Sequence, residues 1–155
     1  MKELTKEERL ALSFLHAHRT GVIASVTKDG KPHAATIYYY AADDFSIYFI
    51  TKVNTKKYQL YKDNSQVAFV ASDEQVPQTV QVEGTVEEVP YENQDMKTIA
   101  NLTEIMAGNS TFTAPLTKLD AAKVVLMKIT PTWLRFADFA FGHHESDTVF
   151  FEVKK

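Results

Sequence analysis

The sequence predicts a mainly β fold, a small antiparallel barrel with added helices, on three observations. Apolar and polar residues alternate in several short runs, the period-two pattern of half-buried strands. Turn signals such as Asp29-Gly30 separate these runs at short intervals. A parallel doubly wound sheet needs a helix between most strands, and those helical patterns are missing. The chain has 155 residues, 45% hydrophobic and 24% charged, so one domain over 1–155 with a single core is expected.

Thr5-Lys6-Glu7-Glu8 fits a capping box, and Leu10, Phe14 and Leu15 follow on one face, so a helix is expected over about 5–18. From Gly21 the period changes to two: Val22, Ala24 and Val26 alternate with Ile23, Ser25 and Thr27 in a first strand. Asp29-Gly30 supplies a hairpin turn, since glycine accepts the positive φ that such turns require. A second strand runs from Ala34 to Ala41 and a third from Ser46 to Ile50, which together predict a meander. Thr51 to Thr55 reads as a loop feeding a short helix, Lys56 to Lys62. Strands are expected at 66–71 and 78–89. In the second, Val80, Val82 and Val86 oppose Thr79, Gln81 and Glu83, and Gly84 marks a bulge or bend. A helix over 93–107 carries Ile99, Leu102 and Met106 at helical spacing, reads as a packing or dimer element, and ends at Gly108. Further strands are expected at 123–130, 132–138 and 148–153.

Composition narrows the chemistry. Seventeen Lys plus Arg against twenty Asp plus Glu leave a net charge of -3, which argues against broad attraction to nucleic acid or anionic membrane. Cysteine is absent, which removes disulfides, thiolate nucleophiles and cysteine-held metals. MKELTKEERL shows no apolar leader, and no apolar run reaches the roughly 18 to 20 residues that span a bilayer, so a cytoplasmic protein is expected. The glycine-rich phosphate loop, the dinucleotide fingerprint and the serine elbow are also missing from the sequence.

The chemically informative stretch is Ile50 to Tyr58. Lys52, Lys56, Lys57 and Lys62 lie in a segment without an acidic residue before Asp63, and Asn54 or Thr55 is placed to cap the helix that begins at Lys56. Free N–H groups at a helix start, nearby hydroxyls and two ammonium groups are what a phosphate monoester requires. A solvated lysine face is the alternative. Tyr38, Tyr39, Tyr40, Tyr48, Phe49 and Trp133 are placed either to wall a planar heteroaromatic ring or to fill a core. His16 and His18, two apart on a helix, face different ways, and His143-His144 lacks a signposted third ligand, so no metal is expected.

The order of these features resembles the pyridoxamine 5′-phosphate oxidase-like FMN-binding split-barrel superfamily, in particular its short general-stress-protein branch. The residues that carry the resemblance are Gly21 to Val26, Asp29 to Ala34, Ile47 to Thr51, Thr55-Lys56-Lys57, Leu60 to Asn64, and Val80-Gln81-Val82-Glu83-Gly84. The resemblance implies an antiparallel split barrel and a homodimer with two FMN molecules in clefts between subunits. It places Ala35, Thr36, Ile37 and Tyr38 along the isoalloxazine, Ile50 and Thr51 at the strand end, and Lys56 and Lys57 on the phosphate, with Thr55 beside them. Thr79 falls where the family makes a polar contact, with Gln81 beside it, and Trp133 with Arg135 loosely echoes a family motif.

True pyridoxamine phosphate oxidases carry an arginine where this chain has Ala35, and they end on a tryptophan and an Arg/His-rich substrate motif where this chain has 150–155. The implied function is therefore a flavin-dependent oxidoreductase or flavin-binding stress protein, with the flavin carrying the redox chemistry and no side chain assigned as acid or base. A reduced nicotinamide is the expected donor. Three alternatives remain open at this point: the deazaflavin F420 in a similar cleft, haem with His33 or His143 as axial ligand, or single-stranded nucleic acid on Lys52–Lys62 and Tyr38–Tyr40. The cluster of Trp133, Phe136, Phe139 and Phe141 is read either as a cap on a partner's flavin or as a dimer seal.

Overall fold

The computed structural model describes residues 3–108, 123–140 and 150–154. Helix α1 spans Lys6–Ala17, and its predicted capping box forms: Glu8 N–H donates to the Thr5 hydroxyl at 3.1 Å while Thr5 N–H donates to the Glu8 carboxylate at 2.7 Å. Its apolar stripe, Ala11, Leu12, Phe14 and Leu15, is buried against the sheet. Strands β1 (Thr20–Val26) and β2 (Pro32–Tyr38) form the predicted hairpin, in which Gly30 adopts φ +83°.

The second predicted strand divides. Tyr39 separates β2 from β3 (Tyr40–Ala41), and β3 pairs with β4 (Ile47–Lys52) rather than prolonging the hairpin. The sheet order is β2-β1-β5-β6-β7-β4-β3, so one short segment supplies both terminal strands and the sheet must curl to bring its ends together. Tyr39 stands at that junction, fully buried. Its N–H donates to Arg19 C=O and its hydroxyl to Leu15 C=O, each at 3.0 Å, and its ring meets Phe69 edge-on at 5.0 Å. The expected simple meander is therefore corrected: two successive pairings exist, but at opposite ends of a curled antiparallel sheet.

Helix α2 (Lys56–Asp63) leads into β5 (Gln66–Asp73) and β6 (Gln78–Glu88), and a 3-10 turn at Tyr91–Asn93 precedes α3 (Met96–Ala107), which Gly108 caps at φ 60°. The two strands expected at 123–130 and 132–138 are one strand, β7 (Val124–Asp138). The β6–β7 register shifts between Glu83 and Gly84, where Gly84 faces Pro131 and Glu83 faces Trp133. That is the bulge expected at Gly84, and it accommodates a proline that cannot donate to the ladder. β7 pairs with β6 along one edge, while its other edge is shared between β4 and β8 (Phe150–Lys154). Residues 148 and 149 of the last expected strand, with Phe141, His143 and His144, lie outside the described residues.

The inner face of this sheet makes the core with α1 and α2, using Ile23, Phe49, Phe69, Val80, Leu134 and Phe136 among others. Val22 and Val26, by contrast, are on the outer face and 38% and 41% exposed. No described helix is long and apolar enough to cross a membrane.

Candidate functional site

Strand β4 ends where α2 begins, and the sequence builds that corner through two threonines. Thr51 is fully buried, and its hydroxyl lies 3.1 Å from the Thr55 hydroxyl. Thr55 is the N-cap of α2: its hydroxyl donates to Lys52 C=O at 2.8 Å and accepts from Tyr58 N–H at 3.4 Å. The first-turn amides, those of Lys56 and Lys57 included, cannot bond within the helix, and no acidic residue occupies that turn. A helix start of this kind attracts an anion through its exposed N–H groups and the helix dipole.

Lys56 is exposed and Lys57 half-buried. Desolvation holds the Lys57 ammonium below its ordinary pKa of 10.5, so the fold bears a cost for that charge which an anion would offset. The four lysines of the segment do not form one cluster. Lys62 sits in the last turn of α2, its Nζ 5.1 Å from the Tyr58 ring, whose hydroxyl donates to Glu88 at 2.8 Å. Lys52 lies on the face of β4 opposite Thr51 and is itself buried.

The C-terminal end of α2 is tied to the β1–β2 hairpin: Lys28 Nζ is 3.3 Å from Asp63, and Asn64 Nδ2 donates to Val26 C=O. The helix packs against β1 and β2, and its Lys56–Lys57 end lies at the far end of its roughly 12 Å length. β2 is a terminal strand of the sheet among the described residues, so alternate backbone groups along it face away from β1. Along β2, Thr36 is exposed, Ala35 and Tyr38 are half-buried, and the Ile37 side chain is buried in the core, leaving only its backbone for a ligand.

The remaining candidates stand elsewhere. Ile50 lines a cleft beside α3. Gln81 and Trp133 line a separate groove of about 410 Å³ on the outer face, with Val22, Ala24, Val70 and Arg135. Thr79, half-buried, donates its hydroxyl to Ala71 C=O at 3.1 Å, a contact that already has a structural purpose. Within one chain, the lysine corner and the Gln81–Trp133 groove are therefore distinct places.

Sequence reasoning missed the role of Arg135 in this groove. Its guanidinium lies 5.4 Å from the Trp133 ring and 4.5 Å from the Phe150 ring, and Nη2 donates to Gln81 Oε1 at 2.6 Å. The available signal was the two-residue spacing of Trp133 and Arg135, which puts both on one strand face.

Of the aromatic residues read either as a ring wall or as core, two take the core alternative. Tyr39 and Phe49 are completely buried and pack in the core, as does Phe136, so they present no face to a bound ring. The same burial breaks the continuous Tyr38–Tyr40 stacking platform that the nucleic-acid reading required. His16 Nε2 contacts Ala41 C=O at 2.9 Å, whereas the two ring nitrogens of His18 contact Phe14 C=O at 2.7 Å and Asp73 at 3.0 Å; the pair diverges as expected.

A curled antiparallel sheet with a capped, lysine-bearing helix at a strand end defines a pyridoxamine 5′-phosphate oxidase-like fold. The family model described as pyridoxamine 5′-phosphate oxidase matches residues 8–138, and the chain belongs to that family. Among solved structures, it is similar to general stress protein 26 from Bacillus anthracis, with 23% identity and a TM-score of 0.61 over 83% of this chain and 92% of that one. It is also similar to a pyridoxamine 5′-phosphate oxidase-related, FMN-binding protein from Nostoc punctiforme, with 12% identity and a TM-score of 0.60 over 95% and 94%. A third similar structure, an F420 reductase, shares 25% identity with a TM-score of 0.61 over 79% and 93%. A search among curated proteins finds no match.

Proposed function

We propose that this protein is an FMN-binding homodimer that acts as a flavin-dependent oxidoreductase. The observation that carries the reading is the half-buried Lys57, desolvated at the Thr55-capped start of α2 beside Lys56. These groups fit a phosphate monoester: two lysines and the first-turn amides stand at one helix start, the Thr55 hydroxyl fixes that start by capping it, and the first turn carries no carboxylate. The outer backbone edge of β2 at Ala35–Ile37, which pairs with no further strand among the described residues, suits the polar edge of the isoalloxazine, with Tyr38 at the strand's end. Donors there favour negative charge on the ring, which raises its reduction potential. Bound FMN supplies the hydride or electron transfer, and the protein orients it and excludes water.

The separation of Gln81 and Trp133 from the lysine corner favours a site shared between two copies, in which the outer groove of one chain faces the lysine corner of the other. A reduced nicotinamide is the proposed electron donor. F420 in place of FMN is the second reading, favoured by the similarity to an F420 reductase, and the absorbance spectrum of the bound pigment separates the two.

The test is a fluorescence titration of FMN and of riboflavin, which lacks the phosphate, against the wild type and the double variant Lys56→Ala/Lys57→Ala. Removing one charged hydrogen-bond donor from a partly buried site costs about 1.5–3 kcal/mol, with exposed Lys56 at or below the lower end. FMN affinity should fall while riboflavin affinity holds. Equal FMN affinity in both proteins rejects the lysine assignment.

A further inference from the structure

We propose that the cleft between α2 and the β6–β7 pair binds a small neutral molecule with a hydrogen-bond acceptor beside a donor, the pairing that a primary carboxamide carries. None of the residues assigned to FMN lines this cleft, so the site goes beyond the flavin reading and does not depend on it.

The cleft has a volume of about 180 Å³. Tyr58, Tyr61 and Lys62 line it from α2, at the i, i+3 and i+4 positions that share one helix face. Val86 and Glu88, two apart on β6, share a strand face, and Met127 of β7 pairs with Glu88 across the ladder.

Three tyrosines are buried among the described residues, and two have their hydroxyls bonded: Tyr39 donates to Leu15 C=O and Tyr58 to the Glu88 carboxylate at 2.8 Å. Tyr61 differs. It is 5% exposed, and its hydroxyl is buried without a hydrogen-bond partner among the described residues. A buried hydroxyl that has given up water nearly always finds another partner. Burial also raises the Tyr61 pKa above its ordinary value of 10.0, so the group keeps its proton and can donate it. A single bridging water needs about 10–15 Å³ of such space. The cleft is about tenfold larger, which admits a small organic molecule.

Charge selects among such molecules. Glu87 and Glu88 both line the cleft against one ammonium, that of Lys62, which lies 5.1 Å from the Tyr58 ring, so an anion is disfavoured. A simple ammonium ion suits the carboxylates but brings no acceptor for the Tyr61 proton. A carboxamide brings both: its oxygen accepts from Tyr61, and its N–H donates to Glu88, whose carboxylate has capacity beyond the bond from Tyr58. Val86 and Met127, 3% and 2% exposed, offer the apolar wall for the rest of the molecule.

The test titrates isobutyramide, isobutyrate and isobutylamine, probes of similar shape, into isotope-labelled protein and follows the backbone amide resonances by NMR. Isobutyramide should bind most tightly, with shifts centred on residues 58–62, 86–88 and 127. Tyr61→Phe deletes the hydroxyl alone and should fold, since it removes a buried polar group that lacks a partner. Its isobutyramide affinity should fall about three- to tenfold, as expected when one neutral hydrogen bond is lost. Saturating FMN should leave the wild-type affinity for isobutyramide unchanged. The proposal is overturned if isobutyramide leaves those resonances unmoved, so that water alone fills the cleft, or if isobutyrate or isobutylamine binds as tightly. Wild-type affinity in Tyr61→Phe, or displacement of isobutyramide by FMN, overturns it equally.

Discussion

Replacing Gly84 by alanine probes the corner on which the outer groove depends. A Cβ built at Gly84 lies 3.0 Å from the Thr130 carbonyl carbon and 3.1 Å from Pro131 Cα, and closer still to the Thr130 carbonyl oxygen. All three obstacles are backbone. They belong to a strand held on both sides, since Thr130 pairs with Thr85 and the neighbouring Ile129 with Ile47. No side-chain rotation can relieve the overlap, so the β6–β7 bulge must open. Overpacking of a tight site costs about 1–3 kcal/mol, and an obstacle made of backbone puts this case near about 3. For a chain of this length, each kcal/mol lowers Tm by about 2–4 °C, so a drop of about 6–12 °C is expected by calorimetry. Urea unfolding should show a lower midpoint with an unchanged slope. Gly30→Ala is the control: it has φ +83° but nothing within 4 Å, so it bears only a conformational cost of about 1 kcal/mol. A Gly84→Ala protein that melts within about 2 °C of wild type, below the smallest shift expected for such overpacking, refutes the bulge argument.

Three further predictions concern charge and polarity. The Asp73 carboxyl is held below its ordinary value of 3.8 by hydrogen bonds from His18 and then from the Gln75 and Val76 amides. A depressed folded-state value means that the unfolded chain binds more protons between the two pKa values, so this stabilisation is full above 3.8 and is lost as pH falls through the lower one. The stability gap between wild type and Asp73→Asn should accordingly narrow on acidification below 3.8, and a pH-independent gap contradicts the contact. Lys57 titrates below 10.5 in the folded protein, so FMN affinity should decline with rising pH before that value is reached, as the neutral amine ceases to attract the phosphate; Lys57→Arg should remove the decline. Tyr39→Phe leaves the Leu15 carbonyl without its buried donor and should cost about 1–3 kcal/mol in urea unfolding; a neutral result shows that the sheet closes without that bond.

Local chemistry was the readable part of this sequence. The Thr5–Glu8 capping box, the Gly30 turn and the Gly108 cap each follow from side-chain or φ requirements within a few residues, and all are found; the bulge at Gly84 was legible from the glycine alone, though its cause lies in another strand. Tyr39 was not readable as a junction, because it continues the apolar run of Tyr38 and Tyr40; only the pairing partners of β2 and β3, distant in sequence, divide that run. Pro131 reads in the sequence as a break between two strands, and the compensating residue, Gly84, lies in another strand.

The candidate site follows the same rule. Thr55, Lys56 and Lys57 are adjacent in sequence and are found together at the start of α2. Gln81 and Trp133 come from other strands and occupy a different groove. Lys52 reads in the sequence as one more member of a lysine run. Strand alternation, which turns it away from Thr51, could have separated it from Lys56 and Lys57, but its burial depends on long-range packing.

A crystal structure of the protein grown with FMN tests the central claim most directly. The phosphate should lie within hydrogen-bonding distance of Lys57 Nζ and the first-turn amides of α2, with the ring along the edge of β2. FMN seated with its phosphate elsewhere, or crystals that hold no flavin at saturating concentration, would contradict it.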